Sequence, residues 1–71
     1  MQNLLDKIII DPRVMVGKPI IKGTRITVQQ ILGLLVQGAS NEEIIKEYPH
    51  ILKEDIYACL LFAQQALDNC A

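Results

Sequence analysis

The sequence predicts a mainly α fold, three helices preceded by a short N-terminal β ribbon, in one domain spanning residues 1–71. Three observations carry that prediction. Thr27 and Ser40 each stand three positions ahead of a residue that completes a capping box, Gln30 and Glu43. After Thr27 apolar residues recur at the helical period, whereas before it they come in short runs rich in β-branched side chains. Between the two regimes lies Gly17-Lys18-Pro19-Ile20-Ile21-Lys22-Gly23-Thr24-Arg25-Ile26-Thr27, dense in turn formers and cations.

The ribbon covers 7–26. Ile8-Ile9-Ile10 reads as a strand over 7–10, stopped by Asp11-Pro12, because a residue before proline is pushed out of helical geometry. Val14-Met15-Val16 and Pro19-Ile20-Ile21 are two further extended segments, so a hairpin is expected. A ribbon this short is unstable alone and must lie on the helices or pair with a second chain. Gly17 and Gly23 serve as turns; the order of Lys18 and Pro19 after Gly17, with no lysine after Gly23, does not make a phosphate-binding Walker loop.

Helix one is expected at 28–37. Ile26 and Ile31 stand in hydrophobic-staple register around Thr27, while Val28, Ile31, Leu32 and Leu35 form one face and Gly38 provides the left-handed stop. Helix two, 41–47, buries Ile44, Ile45 and Tyr48 and ends at Pro49. Helix three, 53–68, places Glu54 and Asp55 in its first turn, with Lys53 at the cap position, where it cannot accept the free N–H groups. Ile56, Leu60, Ala63 and Leu67 are assigned to its core face, with Tyr57, Leu61 and Phe62 on other sides. So wide an apolar surface exceeds what two short helices cover, which points to a homodimer or another protein partner.

The residues are 51% hydrophobic and 4% aromatic, with no Trp, so the core is built from Ile, Leu and Val. No apolar run approaches the roughly 18 residues of a spanning helix, and a cytoplasmic protein without membrane contact is expected. Cys59 falls in a helical apolar run and reads as core; Cys70, near the terminus, reads as exposed; neither has CxxC spacing. With His50 distant from both, no metal site assembles, no cofactor loop is present and no nucleophile has a base at local spacing. An enzyme is not expected.

The net charge of −1 hides an asymmetry. Residues 1–27 carry five cations (Lys7, Arg13, Lys18, Lys22, Arg25) against two carboxylates, a net of +3, and residues 28–71 carry two cations against six carboxylates, a net of −4. A basic front and an acidic back suit an anionic ligand at the front or association between copies.

Taken together, Asp11-Pro12, Gly17-Lys18-Pro19, Gly23-Thr24-Arg25-Ile26-Thr27-Val28, Gly38, Ser40, Glu42-Glu43-Ile44, Tyr48-Pro49 and Glu54-Asp55-Ile56 with Ala58 resemble the prokaryotic domain of unknown function 433 over residues 8 to about 63. That family is grouped with VapB-type antitoxins of type II toxin–antitoxin systems. The resemblance implies a homeodomain-like helix-turn-helix and a PIN-type nuclease toxin as partner.

Two functions follow as expectations. The first is an antitoxin-like, DNA-binding regulator that acts as a homodimer on double-stranded DNA, with Arg13, Lys18, Lys22 and Arg25 of the ribbon as contacts and Lys53, Tyr57 and Gln64 of helix three as weaker ones. Against it stand a pI of about 5.6 and a third helix that opens with Glu54-Asp55. The second is a protein-interaction module of the same fold that binds a nuclease-type partner and no DNA, through Glu42, Glu43, Glu47, Leu61 and Phe62.

Overall fold

A computed structural model describes residues 3–68. Among these the architecture is mainly helical, three helices with a two-stranded antiparallel hairpin at the N-terminal end. Strand β1 is Ile8–Ile9 and β2 is Ile20–Ile21; helices α1, α2 and α3 are Val28–Val36, Asn41–Glu47 and Lys53–Asp68. A 3₁₀ turn, Leu4–Lys7, precedes β1 and packs on α3.

The ribbon pairs within the chain, Ile8 opposite Ile21 and Ile9 opposite Ile20. Its strands are shorter than the 7–10 and 19–21 segments the sequence suggests, and Val14-Met15-Val16 is not extended. Met15 (φ 50°), Val16 (φ 56°) and Gly17 (φ 78°) form one left-handed turn, in which the Gly17 and Lys18 N–H groups donate to Val14 and Met15 carbonyls at 3.2 and 3.1 Å. β-branched residues are rare in this region because Cβ crowds the next carbonyl, at roughly 1–2 kcal/mol per residue. Propensity pointed to a strand here, and the need to reverse the chain between Pro12 and Pro19 prevailed.

The first two helices begin as their capping boxes require. The Gln30 N–H donates to Thr27 Oγ1 at 3.0 Å while the Thr27 N–H donates to Gln30 Oε1 at 2.8 Å. Ser40 and Glu43 repeat the arrangement at 3.1 and 2.8 Å. Helix α1 ends in a Schellman motif: the Gly38 N–H bonds the Leu35 carbonyl and the Ala39 N–H bonds the Leu34 carbonyl, both at 3.0 Å, with Gly38 at φ 95°.

Helix α3 begins differently from expectation. The residue before it is Leu52, not Lys53, and although leucine offers no acceptor, Asp55 Oδ2 receives the Leu52 N–H at 2.9 Å. The position lacking a capping side chain is therefore 52.

Ile21, Val28, Ile31, Ile44, Ile51, Ile56 and Cys59 form the core, with Ile8, Ile26, Leu32, Tyr48 and Phe62 among the side chains packed around it. The predicted core face of α3 is partly wrong. Ile56 is buried, but Leu60 is 44% and Leu67 72% exposed, and the inward positions are Asp55, Ile56, Ala58 and Cys59.

Candidate interaction surfaces

The hairpin holds its cations on a fixed frame. Below β2 the chain closes a tight turn in which the Ile21 N–H donates to the Ile26 carbonyl at 2.9 Å, and Thr24 Oγ1 donates to the Ile21 carbonyl at 2.7 Å while accepting the Ile26 N–H at 3.0 Å. Gly23, at φ 80°, supplies the left-handed residue. The Val28 N–H bonds the Pro19 carbonyl at 2.9 Å, which ties the strand to the start of α1.

Of the four ribbon cations the sequence proposes, Arg13 is committed locally. Its Nε and Nη2 donate to the two Asp11 carboxylate oxygens at 3.2 Å each, and its backbone N–H adds a third bond at 2.9 Å. The Arg13 guanidinium and then its backbone N–H hold the Asp11 carboxyl below its usual range. Lys18, Lys22 and Arg25 are exposed and stand outside the two ion pairs found among the described residues, Lys7–Asp55 and Arg13–Asp11. Lys22 rims a polar recess of about 330 Å³ with Asn3, Asp6, Lys7 and Asp55. Lys18 lines a different hollow with Met15, Thr27, Gln29 and Gln30.

On α3 the two opening acids part company. Glu54 is exposed, but Asp55 is 8% exposed, 3.5 Å from Lys7 Nζ and bonded to the Leu52 N–H. The expected repulsion between Asp55 and an approaching phosphate is thereby removed, and only Glu54 remains at that end. Lys53 extends over the Tyr57 ring, Nζ 6.0 Å from its centre, and Gln64 is exposed on the same side. Burial, helped by the nearby Asp55 charge, pushes the Cys59 thiol up to about 11, so it is protonated and unreactive at neutral pH. Cys70 lies outside the described residues.

The acidic candidates on α2 also divide. Glu42 and Glu47 are exposed, whereas the Glu43 carboxylate is engaged in the capping box and is held below its ordinary range by the Ser40 N–H and hydroxyl. Leu61 and Phe62 are half-buried. Phe62 and Ala66 form a ridge between two apolar grooves, one of about 440 Å³ beside α1, bounded by Val28, Leu32, Ala63 and Leu67, the other of about 410 Å³ beside the hairpin, bounded by Leu5, Ile8 and Ile10. Sequence reasoning missed these grooves and the exposure of Leu60 and Leu67. The available signal was the charge-free run from Ile56 to Leu67.

No group of His, Cys, Asp and Glu among the described residues is arranged to hold a metal ion, and no described helix is long and apolar enough to cross a membrane. The fold and its surfaces define a small three-helix domain with an N-terminal hairpin and no recognisable reaction centre among the described residues. The model of the family described as "Protein of unknown function (DUF433)" matches residues 8–63, and the chain belongs to that family. A crystal structure of a DUF433 member from Anabaena variabilis ATCC 29413, at 2.00 Å resolution, superimposes with a TM-score of 0.82 at 32% identity. The match covers 89% of this chain and 62% of that one, so this chain spans less than two thirds of its relative. A search of curated proteins gives no match.

Proposed function

We propose that this chain is an antitoxin-like, DNA-binding regulator of a type II toxin–antitoxin pair, which contacts the phosphate backbone through its hairpin. The observation that carries this reading is the exposed set Lys18, Lys22 and Arg25, outside any ion pair among the described residues and set on a frame held by backbone bonds. Cations of this kind release counterions when they neutralise phosphates, and that release dominates non-specific affinity. The homeodomain-like reading of α2 and α3 belongs to the same proposal, with α3 in a secondary role, since its outward side carries Lys53 but also Tyr57 and Leu60.

The test is duplex binding measured against salt. The logarithm of the binding constant falls by about 0.9 per phosphate neutralised, so replacing Lys18, Lys22 and Arg25 by Ala flattens the slope by roughly three per chain. The hairpin cations lie outside the core, so the fold survives the change. A wild-type protein that shows no duplex binding at low salt removes the DNA reading.

A second reading rests on a separate observation. The two apolar grooves flanking Phe62 and Ala66, with Glu42 and Glu47 exposed on α2, support a protein-interaction module that engages a PIN-type nuclease partner. Its test is association with the product of an adjacent toxin reading frame, weakened by Phe62→Ala together with Ala66→Glu and unchanged by the hairpin variant.

A further inference from the structure

The outward side of α3 is constructed unlike a solvated surface. Between Asp55 and Asp68 the helix carries no charged residue, yet Tyr57 is 43%, Leu60 44% and Leu67 72% exposed, and Gln64 is exposed between them. Lys53, Tyr57, Leu60, Gln64 and Leu67 succeed one another by alternating steps of four and three, the spacing of a coiled-coil seam. A helix face that meets only water ordinarily carries charged side chains, whereas depletion of charge around aromatic and aliphatic residues marks the centre of an interface.

We propose that this stripe docks a second copy of the chain, α3 against α3 about a two-fold axis, with the helices antiparallel. Charge decides the occupant. The middle of the stripe is neutral, so a charged partner would bury an unmatched charge there, while a second copy sets neutral against neutral. Charge also decides the direction. Lys53 stands on the stripe at one end and Asp68 at its edge at the other, both exposed. Antiparallel packing brings each Lys53 toward the Asp68 end of its neighbour, where the helix dipole is also negative; parallel packing would oppose the two lysines. Glu54 lies about a quarter turn from the seam, by the helical period of 3.6 residues, and flanks the contact.

The inference goes beyond the DNA reading and is measured without nucleic acid, so either can fail alone. Sedimentation at micromolar concentration is expected to give a species of twice the 8.0 kDa chain mass. Leu60→Glu with Leu67→Glu is expected to weaken association roughly a hundredfold, since each places an unpaired carboxylate in the seam, while helical circular dichroism is retained. Leu60→Gln with Leu67→Gln is a milder pair for use if the charged variant fails to fold; it too is expected to sediment as a monomer. Lys53→Asp is expected to weaken the dimer and Lys53→Asp with Asp68→Lys to restore it. A monomeric wild type, a seam variant that dimerises as tightly as wild type, or a charge exchange that gives no recovery overturns the proposal.

Discussion

Asp55 is the residue whose replacement tests the physical account most sharply, because it holds two elements that are distant in sequence. Its Oδ2 receives the Leu52 N–H at 2.9 Å and its Oδ1 faces Lys7 Nζ at 3.5 Å. Loss of an acceptor at a helix start costs about 0.5–2 kcal/mol. The ion pair, with side chains 12% and 27% exposed, lies between the surface and buried cases and adds about 1–2 kcal/mol. Asp55→Ala is therefore expected to destabilise by about 2–4 kcal/mol, a large share of the total for so small a domain. Asp55→Asn keeps an oxygen for Leu52 and loses only the charge, so it should cost about half as much. A cycle that combines Asp55→Asn with Lys7→Met, read from urea melts, isolates the pair at about 1 kcal/mol. An Asp55→Ala protein within about 0.5 kcal/mol of wild type would refute the reasoning, for that is the range of an ordinary surface change.

Ile31 is fully buried and Leu60 is 44% exposed. In denaturant melts on dilute monomer, Ile31→Ala should cost about 2–5 kcal/mol and Leu60→Ala within about 0.5 kcal/mol, and equal losses would show the face of α3 to be misassigned. Glu43 is a carboxylate whose value in the folded chain is depressed from 4.5 by Ser40. Its contribution is fully present above that ordinary value and is lost as pH falls through the depressed one. Glu43→Gln, which keeps the capping box, should flatten that acid limb in melts recorded across pH 3 to 5, give or take roughly half a unit at each end, and an unchanged limb would mean that the bond contributes nothing.

What the sequence made legible was local. The starts of α1 and α2 were readable because Thr27 with Gln30 and Ser40 with Glu43 settle each boundary within four residues, and Gly38 ended α1 for the same reason. What it concealed depends on contacts between distant segments. Asp55 looks like a solvated first-turn acid until Lys7, far away in the chain, is brought beside it by the 3₁₀ turn on α3. From Ile56 to Leu67 the helix is apolar nearly all round, so periodicity alone does not choose the buried side, and Leu60 was assigned inward when Cys59 occupies that place. Val14-Met15-Val16 carries strand-forming side chains through a left-handed turn, a tertiary override that no local preference reveals. Of the candidate cations, exposure was readable for all four, but not that Asp11 occupies Arg13.

The apparent contest between a basic front and an acidic back changes once these pairings are counted. Lys7 and Arg13 are neutralised by Asp55 and Asp11, which leaves Lys18, Lys22 and Arg25 as the outward cations of the hairpin; on the other side Asp55 is internal and Glu43 is engaged, which leaves Glu42, Glu47, Glu54 and Asp68 facing solvent. Phosphate is thus drawn to the hairpin and repelled from α2 and both ends of α3. The neutral seam on α3 crosses neither region, so dimerisation need not compete with DNA for the same side chains. This separation gives the salt slope a second meaning. If the two-fold arrangement presents both hairpins to one duplex, six cations act together and the slope approaches about −5; if it turns them to opposite sides, each duplex meets three and the slope stays near −3. Seam variants that sediment as monomers distinguish the cases directly: the slope drops to the single-hairpin value in the first and does not move in the second.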